Sequence, residues 1–251
     1  MLEIIRAAIQ GGNLRFIMTI AHLSIKKADT FVARQFRQIE NEIKKTGLPH
    51  CFLHSEVFME THLPDGKAVL ERGSFGYPVD PDAKFNPVAC TDLGAVAATI
   101  LANDEAHHNQ VYTLTGPESL SMSDMAEIYS KAGGKDAKFT QNDAEAAVAI
   151  FRARSQNEWY AKALTEIYQG ISSGEYDTAS GDIETIIGRR PKSFGEFVEE
   201  HKAEMFADGS GREMRKPPPL EKRKDSGSGS HEGGRGVEEE KKEDRGERRR
   251  R

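Results

Sequence analysis

The sequence predicts an α/β fold: the second half of a doubly wound parallel sheet, a small helical region beside it, and a disordered, charged C-terminal tail. Three observations predict it. Short apolar runs containing β-branched residues alternate with longer segments whose apolar residues repeat every three or four positions. Capping residues and glycines stand where those longer segments should start and stop. The last forty or so of the 251 residues contain almost nothing apolar and cannot add to a packed core.

The elements follow in order. Leu2, Ile5, Ala8 and Ile9 recur at helical spacing before Gly11 and Gly12, so the chain opens on what reads as the second half of an amphipathic helix. Phe16 to Ala21 has the pattern of a strand buried on both faces. Asp29 or Thr30 can cap the next helix, in which Val32, Phe36, Ile39 and Ile43 repeat at helical spacing up to Gly47 and Pro49. Cys51 to Leu53 reads as a second buried strand. From Phe58 to Asn86 the pattern dissolves into Pro, Gly and charge, and an inserted loop or short hairpin with turns at Gly73 and Gly76 is expected.

Asp92 is a candidate cap for an Ala-rich helix over Leu93 to Leu101, followed by a strand over Val111 to Leu114. Ser121 with Asp124 approximates a capping box, Leu120 with Met125 has staple spacing, and that helix should stop at Gly133-Gly134. Asp143 to Gly170 reads as helix, interrupted near Ser155, with Val148, Phe151, Trp159, Ala163, Leu164 and Ile167 as core positions. After Asp182 to Ile187, a turn at Gly188 to Ser193 leads into a last helix ending near Met205. One domain over residues 1–208 and a tail over 209–251 are expected.

Charge and cysteine content narrow the function. The chain carries 35 Lys and Arg against 40 Asp and Glu; from Ser210 onward there are 14 basic and 10 acidic residues, leaving 21 against 30 before it. An acidic folded part, without basic stretches interleaved with aromatics, argues against nucleic-acid binding. Cys51 and Cys90 are too few for a disulfide framework and read as structural thiols. Met1 to Ile9 contains Glu3 and Arg6 and fits neither a signal sequence nor a membrane span, so a cytoplasmic protein without membrane attachment is expected. His50, His54, His107 and His108 lack a third ligand at useful spacing, so no metal site is expected.

Several stretches, taken together, resemble the NmrA-like branch of atypical short-chain dehydrogenases/reductases over roughly residues 1 to 206. They are Ile39 to Leu53 (IENEIKKTGLPHCFL), Thr91-Asp92-Leu93-Gly94, Tyr112 to Pro117 (YTLTGP), and Gly188 to Phe197 (GRRPKSFGEF). The resemblance implies a Rossmann-like sheet, NADP or NAD as cofactor, and hydride transfer to a small carbonyl or quinone-like substrate. It places Ser55, Glu56, Val57 and Phe58 beside the nicotinamide. It also aligns the chain without the family's first half, so that no glycine-rich strand-to-helix turn for pyrophosphate is expected and the Phe16 strand is left with a bare edge for a second copy or a partner.

Catalytic residues are not assigned. Phe36 stands where the resemblance implies a common His, Ala21 where a hydroxyl residue is usual, and Leu53-His54-Ser55 where a Leu-Arg-Pro turn is usual. His54 is a candidate replacement cation or acid, or a plain surface or pocket-lining residue. Three readings follow: an NAD(P)H-dependent oxidoreductase, a catalytically inactive redox-sensing regulator favoured by Phe36 and Ala21, and a truncated product without cofactor binding.

Overall fold

The amphipathic spacing at the amino terminus becomes helix α1 (Leu2–Gln10) in the computed structural model, which describes residues 2–26 and 29–207. The expected disordered tail lies outside the described residues. Strand β1 (Ile17–His22) is followed by a 3-10 turn (Leu23–Lys26) and then by α2 (Phe31–Lys45), where Thr30, rather than Asp29, caps the helix by accepting the Ala33 N–H. Asp29 instead faces Arg34 and Arg37. Strand β2 (His50–Ser55) follows directly.

The stretch expected to be a loop is ordered. It contains a 3-10 turn, helix α3 (Leu63–Arg72) and strand β3 (Ser74–Tyr77). The residues that broke the sequence pattern have specific uses here. Pro64 sits in the first helical turn, where no backbone donor is needed. Gly66 meets the backbone of Met205 so closely that a Cβ would lie 2.5 Å from its carbonyl oxygen. Gly73 ends the helix in the left-handed region, at φ 71°.

Helix α4 (Cys90–Ala102) starts one turn earlier than its expected cap. Asp92 lies in its first turn, fully buried, where it accepts the Lys192 N–H at 2.7 Å and pairs with Arg189 at 2.7 Å. Strand β4 (Gln110–Leu114) precedes α5 (Met122–Gly133), whose Ser121–Asp124 capping box forms as expected. Strand β5 (Lys138–Gln141), not foreseen, leads to α6 (Ala144–Ser155) and α7 (Glu158–Ser172), separated at Gln156, which takes φ 53°. The chain closes through α8 (Asp182–Ile187), α9 (Phe194–Glu200) and α10 (Lys202–Met205), so the expected last helix is divided at His201.

The sheet is parallel in the order β1-β2-β4, and β3 pairs with β5 in a second, two-stranded parallel sheet. Period-two alternation in β2 sends Phe52 toward α1 and α2, where it packs with Ile17 and Ile43, and sends Cys51 and Leu53 toward α4 and α8, where they pack with Leu93, Val96 and Ile183. Helices therefore cover both faces, as a doubly wound sheet requires. Strand β1 is an edge among the described residues, as the sequence led one to expect, but its Ile20 is exposed, which corrects the reading of a strand buried on both faces. The largest core forms apart from this sheet, where α3, α5, α7 and α9 enclose β3.

Candidate functional site

Parallel strands end together, and the C-terminal ends of β1 and β2 open a crevice of the kind in which α/β sheets bind ligands. Register places His22 opposite Ser55. Beyond β2 the backbone is pinned rather than loose: Glu56 N–H donates to Leu114 O at 3.0 Å, Val88 N–H to Val57 O at 3.0 Å, and Met59 N–H to Val88 O at 2.9 Å. Residues 55–58 thus form a fixed rim. Ile20, Ala21 and His22 lie beside it, α2 contributes Val32 and Phe36, and α7 contributes Trp159, Tyr160, Ala163, Leu164 and Ile167.

The open cavity they line measures about 380 Å³ and is predominantly apolar. All four residues expected beside a nicotinamide, Ser55, Glu56, Val57 and Phe58, line it, together with Ala21 and Phe36. His54 does not. As β2 alternates, His54 turns to the α2 side, where its Nε2 lies 2.6 Å from Glu40 Oε1 in a buried pair. It is therefore neither a pocket-lining residue nor a replacement cation in the cavity.

The polar content of the wall is concentrated in a pair that sequence reasoning missed. His22 Nδ1 accepts the Ser24 N–H at 3.1 Å, so the ring hydrogen is carried by Nε2, which faces Glu56 Oε1 at 3.3 Å. The same carboxylate oxygen accepts the Val57 N–H at 2.9 Å. Glu56 is 1% exposed, and its other oxygen, Oε2, is buried without a hydrogen-bond partner among the described residues. Nothing in the sequence signalled the pair, because residues 34 positions apart meet only through parallel register.

The mouth is aromatic. Trp159, read from sequence as core, is 45% exposed, donates its indole N–H to Gln35 Oε1 at 3.0 Å and stands edge-on to Phe31 at 6.0 Å, bridging α7 to α2. Burial pushes the Tyr160 phenol above its ordinary range. Neither cysteine contributes to this wall. Burial pushes the Cys51 thiol up to about 11, and burial with the Glu60 carboxylate pushes the Cys90 thiol up to about 12, although Cys90 is exposed rather than part of the core.

Comparison with known proteins matches residues 2–200 to the NmrA-like family. An NAD(P)H azoreductase of Xenophilus azovorans is 26% identical over 207 residues, covering 81% of this chain and 71% of the relative. An NADPH-dependent quinone oxidoreductase of Escherichia coli, solved with NADPH, superposes with a TM-score of 0.68 at 21% identity, covering 77% of this chain and 68% of the other. The negative transcriptional regulator NmrA, solved with NAD, gives a TM-score of 0.54 at 17% identity, covering 78% and 66%.

Proposed function

The chain belongs to the NmrA-like family, and from that premise we propose that it is an NAD(P)H-dependent oxidoreductase acting on small, flat carbonyl or quinone-like acceptors. The observation that carries this reading is the cavity at the carboxyl ends of β1 and β2, walled by Ser55 to Phe58. The residues fit a nicotinamide ring: a largely apolar slot with two buried polar side chains, Ser55 and Glu56, on one edge. When bound, the dihydronicotinamide supplies a hydride. Ser55 to Phe58 would flank the ring, while Ile20, Phe36 and Trp159 would hold a flat acceptor against it and exclude water.

Phe36 and Ala21 favour a second reading, a redox-sensing regulator that binds dinucleotide without turnover, because both line the cavity and neither moves a proton. NADPH oxidation with a panel of quinones separates the two. Turnover above background that disappears on filling the slot with Val57→Trp supports the oxidoreductase; dinucleotide binding without turnover supports the regulator. No helix among the described residues is long and apolar enough to cross a membrane; a cytoplasmic protein is our reading. We further propose that residues 1–208 act as one NAD(P)-binding domain and that the β1 edge, with Ile20 exposed, pairs with a second copy or a partner. A monomer on size-exclusion chromatography contradicts the pairing.

A further inference from the structure

We propose that the chain carries a second small-molecule site, on the face of the β3–β5 pair turned away from the core, and that it takes a phosphorylated organic ligand; this stands apart from the oxidoreductase reading. The site begins with the pleat of the two strands. Phe75, Tyr77 and Phe139 turn inward to the largest core, so Ser74 and the registered pair Gly76 and Thr140 face the other way. Parallel sheets are ordinarily covered on both faces. Here Ile150, Ala153 and Arg154, on one side of α6, and Arg72, at the end of α3, border the outer face, and the space between them is an open cavity of about 520 Å³.

The charge around this cavity has one sign. Its two charged residues are Arg72 and Arg154, and no carboxylate lines it, although acidic residues outnumber basic ones 30 to 21 before Ser210. Arg154 has no ion-pair partner among the described residues. Arg72 has only Glu71, at 4.0 Å, a carboxylate that also faces Lys67 at 3.6 Å. Asp143, next in sequence to the cavity, is turned to the start of α6, where it accepts the Ala146 N–H at 2.7 Å.

Neutral donors surround the same space. The side chains of Ser74, Thr140 and Asn142 make no hydrogen bond among the described residues and border the cavity. The Asn142 amide lies across Gly76, where a Cβ would stand 2.8 Å from Nδ2, so the glycine leaves room for the amide over the strand. Two permanently charged guanidinium forks with hydroxyl and amide donors match the oxygens of a phosphoryl group. Such a group fills only part of the cavity, and Ile150 and Ala153 offer the rest of the space an apolar wall, which suits an organic body attached to the phosphate.

The test is calorimetric titration of the full chain, without nucleotide and in phosphate-free buffer, with phenyl phosphate, phenol and inorganic phosphate, at about pH 8, where a phosphate monoester is dianionic. We expect phenyl phosphate to bind with a Kd of about 1 mM or tighter, and roughly tenfold or more tightly than phenol, which lacks the charge, or inorganic phosphate, which lacks the ring. Arg72→Gln and Arg154→Gln should each weaken it about tenfold. Ala153→Trp keeps both guanidinium groups but fills the space and should abolish binding. Arg152→Gln, on the same helix but outside the cavity, should leave the affinity within about twofold of wild type and so excludes general charge attraction. No binding of phenyl phosphate, equal binding of phenol or inorganic phosphate, binding that survives either cavity arginine variant or Ala153→Trp, or an equal loss with Arg152→Gln overturns the proposal. All four positions are exposed, so the variants should fold, and the three probes on the wild type decide the matter should one not.

Discussion

Asp65 organises the core beneath the candidate site, and removing it should be among the most damaging single changes to the fold. Its carboxylate, 1% exposed, accepts the Tyr77 hydroxyl at 2.9 and 3.0 Å, the Tyr129 hydroxyl at 3.3 Å and the His62 Nδ1–H at 3.0 Å. With Nδ1 donating, His62 Nε2 is left to accept the Tyr168 hydroxyl at 3.3 Å, which ties α7 to the same node. Asp65→Ala strands three buried donors at about 1–3 kcal/mol each, and because neighbouring losses are not additive a total of about 3–5 kcal/mol is expected. For a domain of this size that is a fall in Tm of about 10 °C. Asp65→Asn retains one acceptor oxygen, and its amide can donate to reoriented hydroxyls, so it should lose less. Urea unfolding read by circular dichroism measures both. An Asp65→Ala variant within about 1 kcal/mol of wild type would refute the reasoning.

Other expectations follow from the same geometry. Burial, with the charge of Asp65, holds Tyr77, Tyr129 and Tyr168 above the ordinary phenol range. The unfolded chain therefore releases these protons first, and stability present below about pH 10 should decline as pH rises past it; a flat unfolding midpoint from about pH 8 to pH 11 contradicts this. Ser193→Ala removes the hydroxyl that accepts the Glu196 N–H at the start of α9 and should cost about 1 kcal/mol in the same urea assay; no loss means the cap contributes nothing. Gly66→Ala should destabilise the junction of α3 with α10, since its Cβ meets the Met205 carbonyl at 2.5 Å, and a stabilised variant would show that the junction yields freely. Cys90, with its thiol pushed up to about 12, should react with a thiol reagent at least tenfold more slowly at about pH 8 than an ordinary cysteine, and labelling at a free cysteine's rate excludes that environment.

Much of the main sheet was legible in the sequence because β1, β2 and β4 are flanked by helices whose caps and apolar spacing are local signals. Thr30, Ser121 and the break after Ser155 sit close to where those signals put them. The segment from Phe58 to Asn86 was misread for a physical reason: Pro64, Gly66 and Gly73 are turn residues by composition, yet each serves a helix through its first turn, a close crossing or a left-handed end. Strand β5 is four residues long and largely exposed, so it lacks the apolar run that marks a buried strand. At the site, Ser55 to Phe58 were reached through resemblance and do line the cavity. His22 was not, because its role arises from parallel pairing with residues far along the chain. Trp159 was assigned to the core because helical periodicity gives a face without saying whether that face closes on protein or on a cavity.

Everything proposed for the function depends on the cavity between β1, β2 and α7 being the nicotinamide site. Titrating NADPH and NADH into the full chain while following Trp159 fluorescence and thermal unfolding addresses it most directly. At least one nucleotide should change the fluorescence and, at about a hundredfold over Kd, add about 2.7 kcal/mol of stability and raise Tm by several degrees. Val57→Trp should abolish both responses. A folded protein whose fluorescence and Tm ignore both nucleotides, or a Val57→Trp variant that still binds, would contradict it.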